Sequence, residues 1–489
     1  MNDMLYTLEP ASLWEIFRKI AKIPRPSGYE EEIRAFVSDF GVNAGLETLV
    51  DEAGNVIIKK PASSGLEKRI GVVLQAHLDM VPQKTGGKVH DFRTDPVEVM
   101  IDGDWVHANG TTLGADNGIG VAAALAILES DSLQHGPLEV LLTSNEEAGM
   151  SGALGLKPGL LSGAVLLNLD SEDEGELFIG CAGGLDGTMH FSYDSETLFP
   201  GSVGFEISVS DLKGGHSGMD IHLGRGNANR IMNRLLSMGY ERHELRLAFI
   251  EGGSLRNAIP RESRAVVAVP VSRKAAFHEE LHVLAAILNR EYADTDPELR
   301  ITWSEIVVPE VVIEQGVVKR LIDAVTACPD GVCAMSPDMP GLVETSNNLA
   351  RVSSCDRGRL TVECLLRSSN ESAMQELAGE IGAVARSAGA DCSFSGGYPG
   401  WKPDMTSPLL ELMKTVYLKR FGRVPEVRAV HAGLECGIIG AAYPGLDMVS
   451  FGPTIRHPHS PDEKVECASV LKFWDFLTAI LAAVPERKA

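Results

Sequence analysis

Residues 71–80 read GVVLQAHLDM, an apolar run without polar alternation that ends on His77 and Asp79. A strand with one face in water alternates apolar and polar side chains, whereas a strand covered on both faces has no need to. The same texture returns in LEVLLTSNEE (138–147) and AVLLNLDSED (164–173), and each run again finishes on acidic residues. VIIKK (56–60) is a shorter companion. Between the first two long runs lies VAAALAILES (121–130), built of strong helix formers. Buried strands alternating with helices predict an α/β domain with a mainly parallel sheet and helices on both faces.

Working outward, Leu13, Ile16, Phe17 and Ile20 repeat at i, i+3, i+4, i+7, and EEIRAFVSDF (31–40) keeps a similar spacing, so two helices open the chain. After about Thr188 the texture changes to shorter, paired strand patterns with interposed helices: FEISVSDL, then ANRIMNRLLSMG, then LRLAFIEGG with RAVVAVPVS. A comparable order recurs downstream, from VVKRLIDAVTA through RLTVECLLRSS to ESAMQELAGEIGAVARSAG. From about Tyr398 the α/β texture resumes. The expected organisation is an α/β domain from residues 1–188 and 398–489, with an inserted α+β domain, 189–397, of two similar halves.

The length of 489 residues suits about two to four structural units, and 44% hydrophobic with 23% charged residues is a globular composition. No apolar run reaches the roughly 18 residues of a membrane span. The N-terminal stretch has acidic residues and a helical period in place of a basic segment leading into an apolar one, so a cytoplasmic protein is expected. The net charge of −23 repels phosphate backbones and argues against nucleic acid. Cys328 and Cys333 are the closest pair of eight scattered cysteines and lack the second pair of a structural zinc site, so reduced thiols are expected.

Chemistry-bearing residues gather at the strand ends. His77 and Asp79 lie two apart on an extended segment and point the same way, so one can be a ligand and the other its orienting partner. In GTTLGADNGIG, Asp116 is either a helix cap or a ligand. Glu146 and Glu147 follow the third strand and Asp170 closes the fourth. A loop glutamate pair is ordinarily solvated surface. Ligands of open α/β sheets, however, bind outside the carboxyl ends of strands, and four such positions converge here. FGPTIRHPHSPDE adds His457 and His459. Two imidazoles with three or four carboxylates, which would repel one another unpaired, suit a two-zinc site with a bridging aspartate.

HLDMVPQK, GTTLGADNG, SNEEAGMSGA, LNLDSE, GGHSG, HAGLECG and PHSPDE occur in this order over nearly the whole chain. In this combination the sequence resembles the co-catalytic zinc exopeptidases that include aminoacylase, carboxypeptidase G and bacterial dipeptidases. The resemblance implies that His77 and Asp170 hold one metal ion, that Glu147 and His459 hold the other, and that Asp116 bridges them. It makes Asp79 the residue that orients His77, and Glu146 the general base toward the attacking water. It further implies two divalent cations, zinc with manganese or cobalt as alternatives. Of the two histidines in the last motif it selects His459, which directly follows the proline; an extended loop would aim both to one side.

In the insert, the resemblance makes His216 of KGGHSGMD an oxyanion donor. A serine-hydrolase elbow is the competing reading, but Gly215–Met219 lacks the final glycine of G-x-S-x-G. Asn257 and Arg367 are candidates for the substrate carboxylate, because guanidinium matches that group bidentately; their alternative is ordinary loop and strand-end polarity. His431 and Glu435 resemble pocket positions of the family without a derived role. The implied activity is hydrolysis of dipeptides with a free amino terminus, Xaa-His dipeptides such as β-alanyl-histidine among them. The alternatives are an N-acyl amino acid deacylase on the same metals and a non-catalytic metal- or peptide-binding protein; a free base at Glu146 argues against the last. A homodimer is compatible with the resemblance.

Overall fold

The computed structural model describes residues 5, 7–198, 200–354 and 358–487. The chain divides into two compact units: Met1–Gly180 with Pro403–Ala429 and Leu434–Ala489, and Cys181–Lys402 with Val430–Gly433. The expected boundaries at 188/189 and 397/398 fall inside the second unit, because the strands Gly183–Ser192 and Asp391–Tyr398 are paired neighbours in its sheet. The glycines of GGLDGTMH give the first of these a weak strand signature in sequence.

The first unit is built on an eight-stranded sheet whose order is Glu47–Val50, Val56–Lys60, Leu138–Thr143, Val72–His77, Val165–Asn168, Asp447–Ser450, Glu176–Cys181, Glu426–Val430. Its middle four strands are parallel. All six residues of Val72–His77 and of Leu138–Thr143 are buried, which accounts for their unbroken apolar texture. The helix Ala115–Glu129 packs on Val72–His77 and against the first helix, Ala11–Ile20, which buries Leu13, Trp14, Ile16, Phe17 and Ile20. This is the α/β class expected from the apolar runs.

Because those strands run parallel and in register, with His77 opposite Thr143 and Gln75 opposite Asn168, their carboxyl ends form one edge. A separate four-stranded sheet brings two distant loops to that edge. Lys464–Glu466 pairs antiparallel with Trp105–Ala108, so the loop before residue 464 and the loop after residue 108 leave from the same end. The first carries His459, and the second leads into Asp116, whose backbone (φ −78°, ψ 111°) is non-helical at the start of Ala115–Glu129.

In the second unit, Ser202–Ser210, Ala228–His243, Arg246–Gly252, Ser263–Pro270, Lys274–Glu291 and Arg300–Ile306 follow one another as β-α-β-β-α-β, with the fourth strand beside the first and the third beside the second. Gly183–Ser192, Gln315–Ala327, Val343–Ser353, Arg359–Ser368, Glu371–Ser387 and Asp391–Tyr398 repeat that order and that strand arrangement. The two sets join into one sheet through a two-rung ladder, Glu251 opposite Ser353 and Gly252 opposite Val352. The internal similarity is thus one of topology. Its first strand is displaced ahead of the other set, which interrupts the pattern along the sequence. Among the described residues, no helix is long and apolar enough to cross a membrane.

Candidate active site

His77 ends its strand almost fully buried, and three carboxylates surround the ring. Nε2 lies 3.0 Å from Asp116 Oδ1 and 3.3 Å from Asp170 Oδ1, while Nδ1 lies 3.3 Å from Asp79 Oδ1. The other oxygen of Asp116 faces a second group: His459 Nε2 is 3.2 Å from Asp116 Oδ2 and 3.0 Å from Glu147 Oε2. Asp116 therefore divides its two oxygens between a His77–Asp170 set and a His459–Glu147 set. Residues of both sets could hold a metal ion, as could His77 with Glu146 and Glu147.

Asp79 does more than face His77. Its oxygens accept the backbone N–H groups of Glu146 (2.9 Å) and Glu147 (3.2 Å) and the hydroxyl of Ser27 (2.7 Å). One buried carboxylate thereby fixes the histidine and the adjacent glutamates together. Burial resists its ionisation, but His77, Ser27 and the Glu146 amide outweigh burial and hold it down to about 2.

The Asp116 turn is held from two sides by residues whose roles are not legible in the sequence. Glu463 Oε2 accepts the N–H groups of Leu113 (2.7 Å) and Gly114 (2.9 Å), and Oε1 those of Ala115 (2.8 Å) and Asp116 (3.2 Å). Arg25, fully enclosed, donates to the carbonyls of Leu78 (2.9 Å), Asp79 (2.8 Å) and Gly114. Gly114 has φ +70°, and a Cβ there would strike the Arg25 guanidinium. The sequence signal for Glu463 is its place at the end of PHSPDE, and no local pattern marks Arg25.

Electrostatics follow from crowding. Burial pushes Asp170 up to about 6, with Asp116 and Glu147 adding to the push. Burial also raises Glu146 well above the carboxylate range, helped by Asp170, Glu435 and Glu147 against the pull of His77. His459 rises to about 11 through its hydrogen bonds to Asp116 and Glu147. The donor set suits divalent cations: two imidazoles and three carboxylates have little but one another for partners, and buried Glu147 Oε1 has no hydrogen-bond donor among the described residues.

The loop carrying His459 corrects one expectation. His457 (φ 55°) and His459 (φ 58°) both adopt left-handed backbone, so the loop is not extended and the two side chains are not paired by alternation. Only His459 reaches Asp116 and Glu147.

The remaining expected site residues fall in two places. Glu435 belongs to the first unit, where Oε2 accepts from Gln75 (2.7 Å) and Thr143 (2.6 Å) within the sheet; burial lifts it to about 8. His216, Asn257, Arg367 and His431 belong to the second unit. His216 Nδ1 accepts the N–H groups of Gly218 (3.1 Å) and Met219 (3.0 Å), which puts the ring proton on Nε2 and leaves that atom a donor. Arg367 is buried, with Nε donating to Ser217 (3.2 Å) and Nη1 to the Tyr398 hydroxyl (3.2 Å). His431 bonds Ser346 (2.7 Å), and burial beside the Arg367 charge lowers it to about 3, so its ring is neutral. Asn257 is exposed and contributes its carbonyl to Ser217 N (2.8 Å).

Comparison with known proteins gives a consistent picture. The family model described as peptidase family M20/M25/M40 matches residues 73–483. The cytosol non-specific dipeptidase of Escherichia coli (strain K12) is 43% identical over 483 residues, 99% of each chain. Among solved structures, the aminoacylhistidine dipeptidase from Vibrio alginolyticus is 46% identical, with a TM-score of 0.93 over 99% of each chain. The aminopeptidase PepT from Bacillus cereus ATCC 10987 is similar in fold at 15% identity, with a TM-score of 0.56 over 98% of this chain and 99% of that one.

Proposed function

Because the chain belongs to peptidase family M20/M25/M40, we propose that it is a cytoplasmic dipeptidase that hydrolyses dipeptides with a free amino terminus, Xaa-His dipeptides among them. The substrate range rests on the named activities of the two relatives that match along 99% of their length. The observation that carries the mechanism is the division of Asp116 between two ligand sets, with Glu146 beside them.

In this reading His77 and Asp170 would hold one divalent cation and Glu147 and His459 the other, with Asp116 offering one oxygen to each set; zinc is the metal we assign, with manganese and cobalt as substitutes. Such a pair supplies Lewis-acid polarisation of the scissile carbonyl and lowers the pKa of water to about 7. Glu146 takes the proton from the attacking water and returns it to the leaving amine, a cycle suited to a carboxyl raised by burial. Asp79 keeps His77 and the Glu146 backbone in place. In the second unit, the Nε2–H of His216 suits an oxyanion and the Arg367 guanidinium suits a substrate carboxylate.

The test is Glu146→Ala. Metal content should stay near two ions per chain, and turnover should fall by about 10²- to 10⁴-fold, or roughly 3–5 kcal/mol of barrier. Near-normal turnover removes the base assignment, and loss of metal makes Glu146 a ligand. Dipeptides assayed beside N-acyl amino acids separate this reading from deacylase activity: only a dipeptidase requires the free amino group.

A further inference from the structure

The helix Lys274–Glu291 buries Phe277, Leu281, Ala285 and Leu288, and so turns one flank to solvent. On that flank His278 and His282 stand one turn apart, both exposed, with ring centroids 4.8 Å apart. Trp303, on the strand Arg300–Ile306, meets both rings edge-on, at 5.6 Å from His278 and 4.6 Å from His282. The indole packs on the core of the second unit, so it forms a fixed wall that restricts both imidazoles. Neither ring has a hydrogen bond to protein among the described residues. We propose that His278 and His282 form a transition-metal site, taking Cu²⁺ most strongly and Ni²⁺ or Zn²⁺ less so, through one nitrogen of each imidazole.

Three features carry this. Residues four apart on a helix are neighbours on its surface, so two imidazoles reach one ion without distorting the backbone. The charges nearby do not oppose a cation: Lys274, one turn earlier, is paired with Glu305 at 2.6 Å, and Glu279 beside His278 is exposed. Glu280 is already held by Arg242 (2.9 Å) and His243 (2.6 Å). Imidazole donors select borderline metals over magnesium or calcium, with copper strongest.

Residues 278–282 read HEELH, the spacing of hydrolytic zinc helices. A catalytic zinc site takes three protein ligands, and among the described residues no group of three includes these histidines. The pair therefore binds a metal without forming a second catalytic centre.

The test titrates Cu²⁺ into the enzyme carrying its catalytic metals and follows tryptophan emission and bound copper. Wild type should bind one Cu²⁺ in addition, with quenching from Trp303. His278→Ala and His282→Ala should each bind about 10²-fold more weakly, since the second imidazole acts at high effective concentration. Trp303→Phe should bind copper with the quenching step lost. Copper binding or quenching that persists at the same Cu²⁺ concentration in both histidine variants, as entry into the catalytic cluster would give, overturns the proposal. Dipeptide turnover of the His278 and His282 variants before copper is added should match wild type.

Discussion

Removing the Glu463 side chain tests whether the proposed metal cradle is held by backbone hydrogen bonds from outside the proposed ligand set. Its carboxylate is 2% exposed and accepts four consecutive N–H groups, from Leu113 to Asp116. Each buried polar group left unsatisfied costs about 1–3 kcal/mol, so four would set a ceiling near ~12 kcal/mol. Water entering the vacated space satisfies part of that, while Arg25 loses a nearby counter-charge. Hydrogen bonds to a charged acceptor contribute about 1.5–3 kcal/mol each, so with water satisfying about half of the four we expect Glu463→Ala to lose about 3–6 kcal/mol of stability. The slack turn also carries Asp116. If 1.4–2.8 kcal/mol of the loss falls on ligand positioning, metal affinity drops about ten- to hundredfold. Glu463→Gln keeps one acceptor oxygen and should fall between wild type and Ala. The assay combines thermal unfolding of metal-stripped protein, metal affinity by chelator competition, and kcat with metal in excess, which should recover much of the activity. A folded Glu463→Ala protein with metal affinity within twofold of wild type would refute the reasoning.

Arg367→Ala should lose most of the discrimination between a dipeptide and its C-terminal amide, about ten- to hundredfold for charge-assisted hydrogen bonds of 1.5–3 kcal/mol; unchanged discrimination returns Arg367 to a structural role with Ser217 and Tyr398. His459→Ala should lose metal affinity and nearly all turnover, whereas His457→Ala should keep both, and metal titration of the two stripped variants decides between them. Burial lifts Asp330 to about 6, while its Oδ1 accepts from Leu349 N (2.9 Å) and Asn227 (3.1 Å). The folded state then binds this proton more tightly than the unfolded chain, whose aspartate titrates near ~3.9. The contribution of Asp330 to stability is therefore lost as pH rises from about 4 through about 6 and is constant above. Asp330→Asn keeps the acceptor oxygen and should melt higher than wild type at pH 8 and equally at pH 4; a lower melting point at pH 8 contradicts this.

The sequence by itself determined what depends on local pattern. Unbroken apolar runs marked strands buried on both faces, and acids or imidazoles at their ends marked the carboxyl edge of a parallel sheet, because side-chain direction and burial repeat over a few residues. Seven motifs in fixed order identified the family on the same local basis. Only the tertiary structure decided relations between distant segments. Glu463 meets the turn 113–116 across about 350 residues because two short strands pair antiparallel, and no periodicity along the chain encodes that meeting. Arg25 likewise reaches Gly114 across 89 residues of chain, a meeting no local pattern encodes. The left-handed backbone at His457 and His459 depends on the packing of their loop, so counting by twos misjudged it. The repeated β-α-β-β-α-β arrangement of the second unit becomes visible in strand order, since hydrogen bonding between strands assembles neighbours that the chain keeps more than a hundred residues apart.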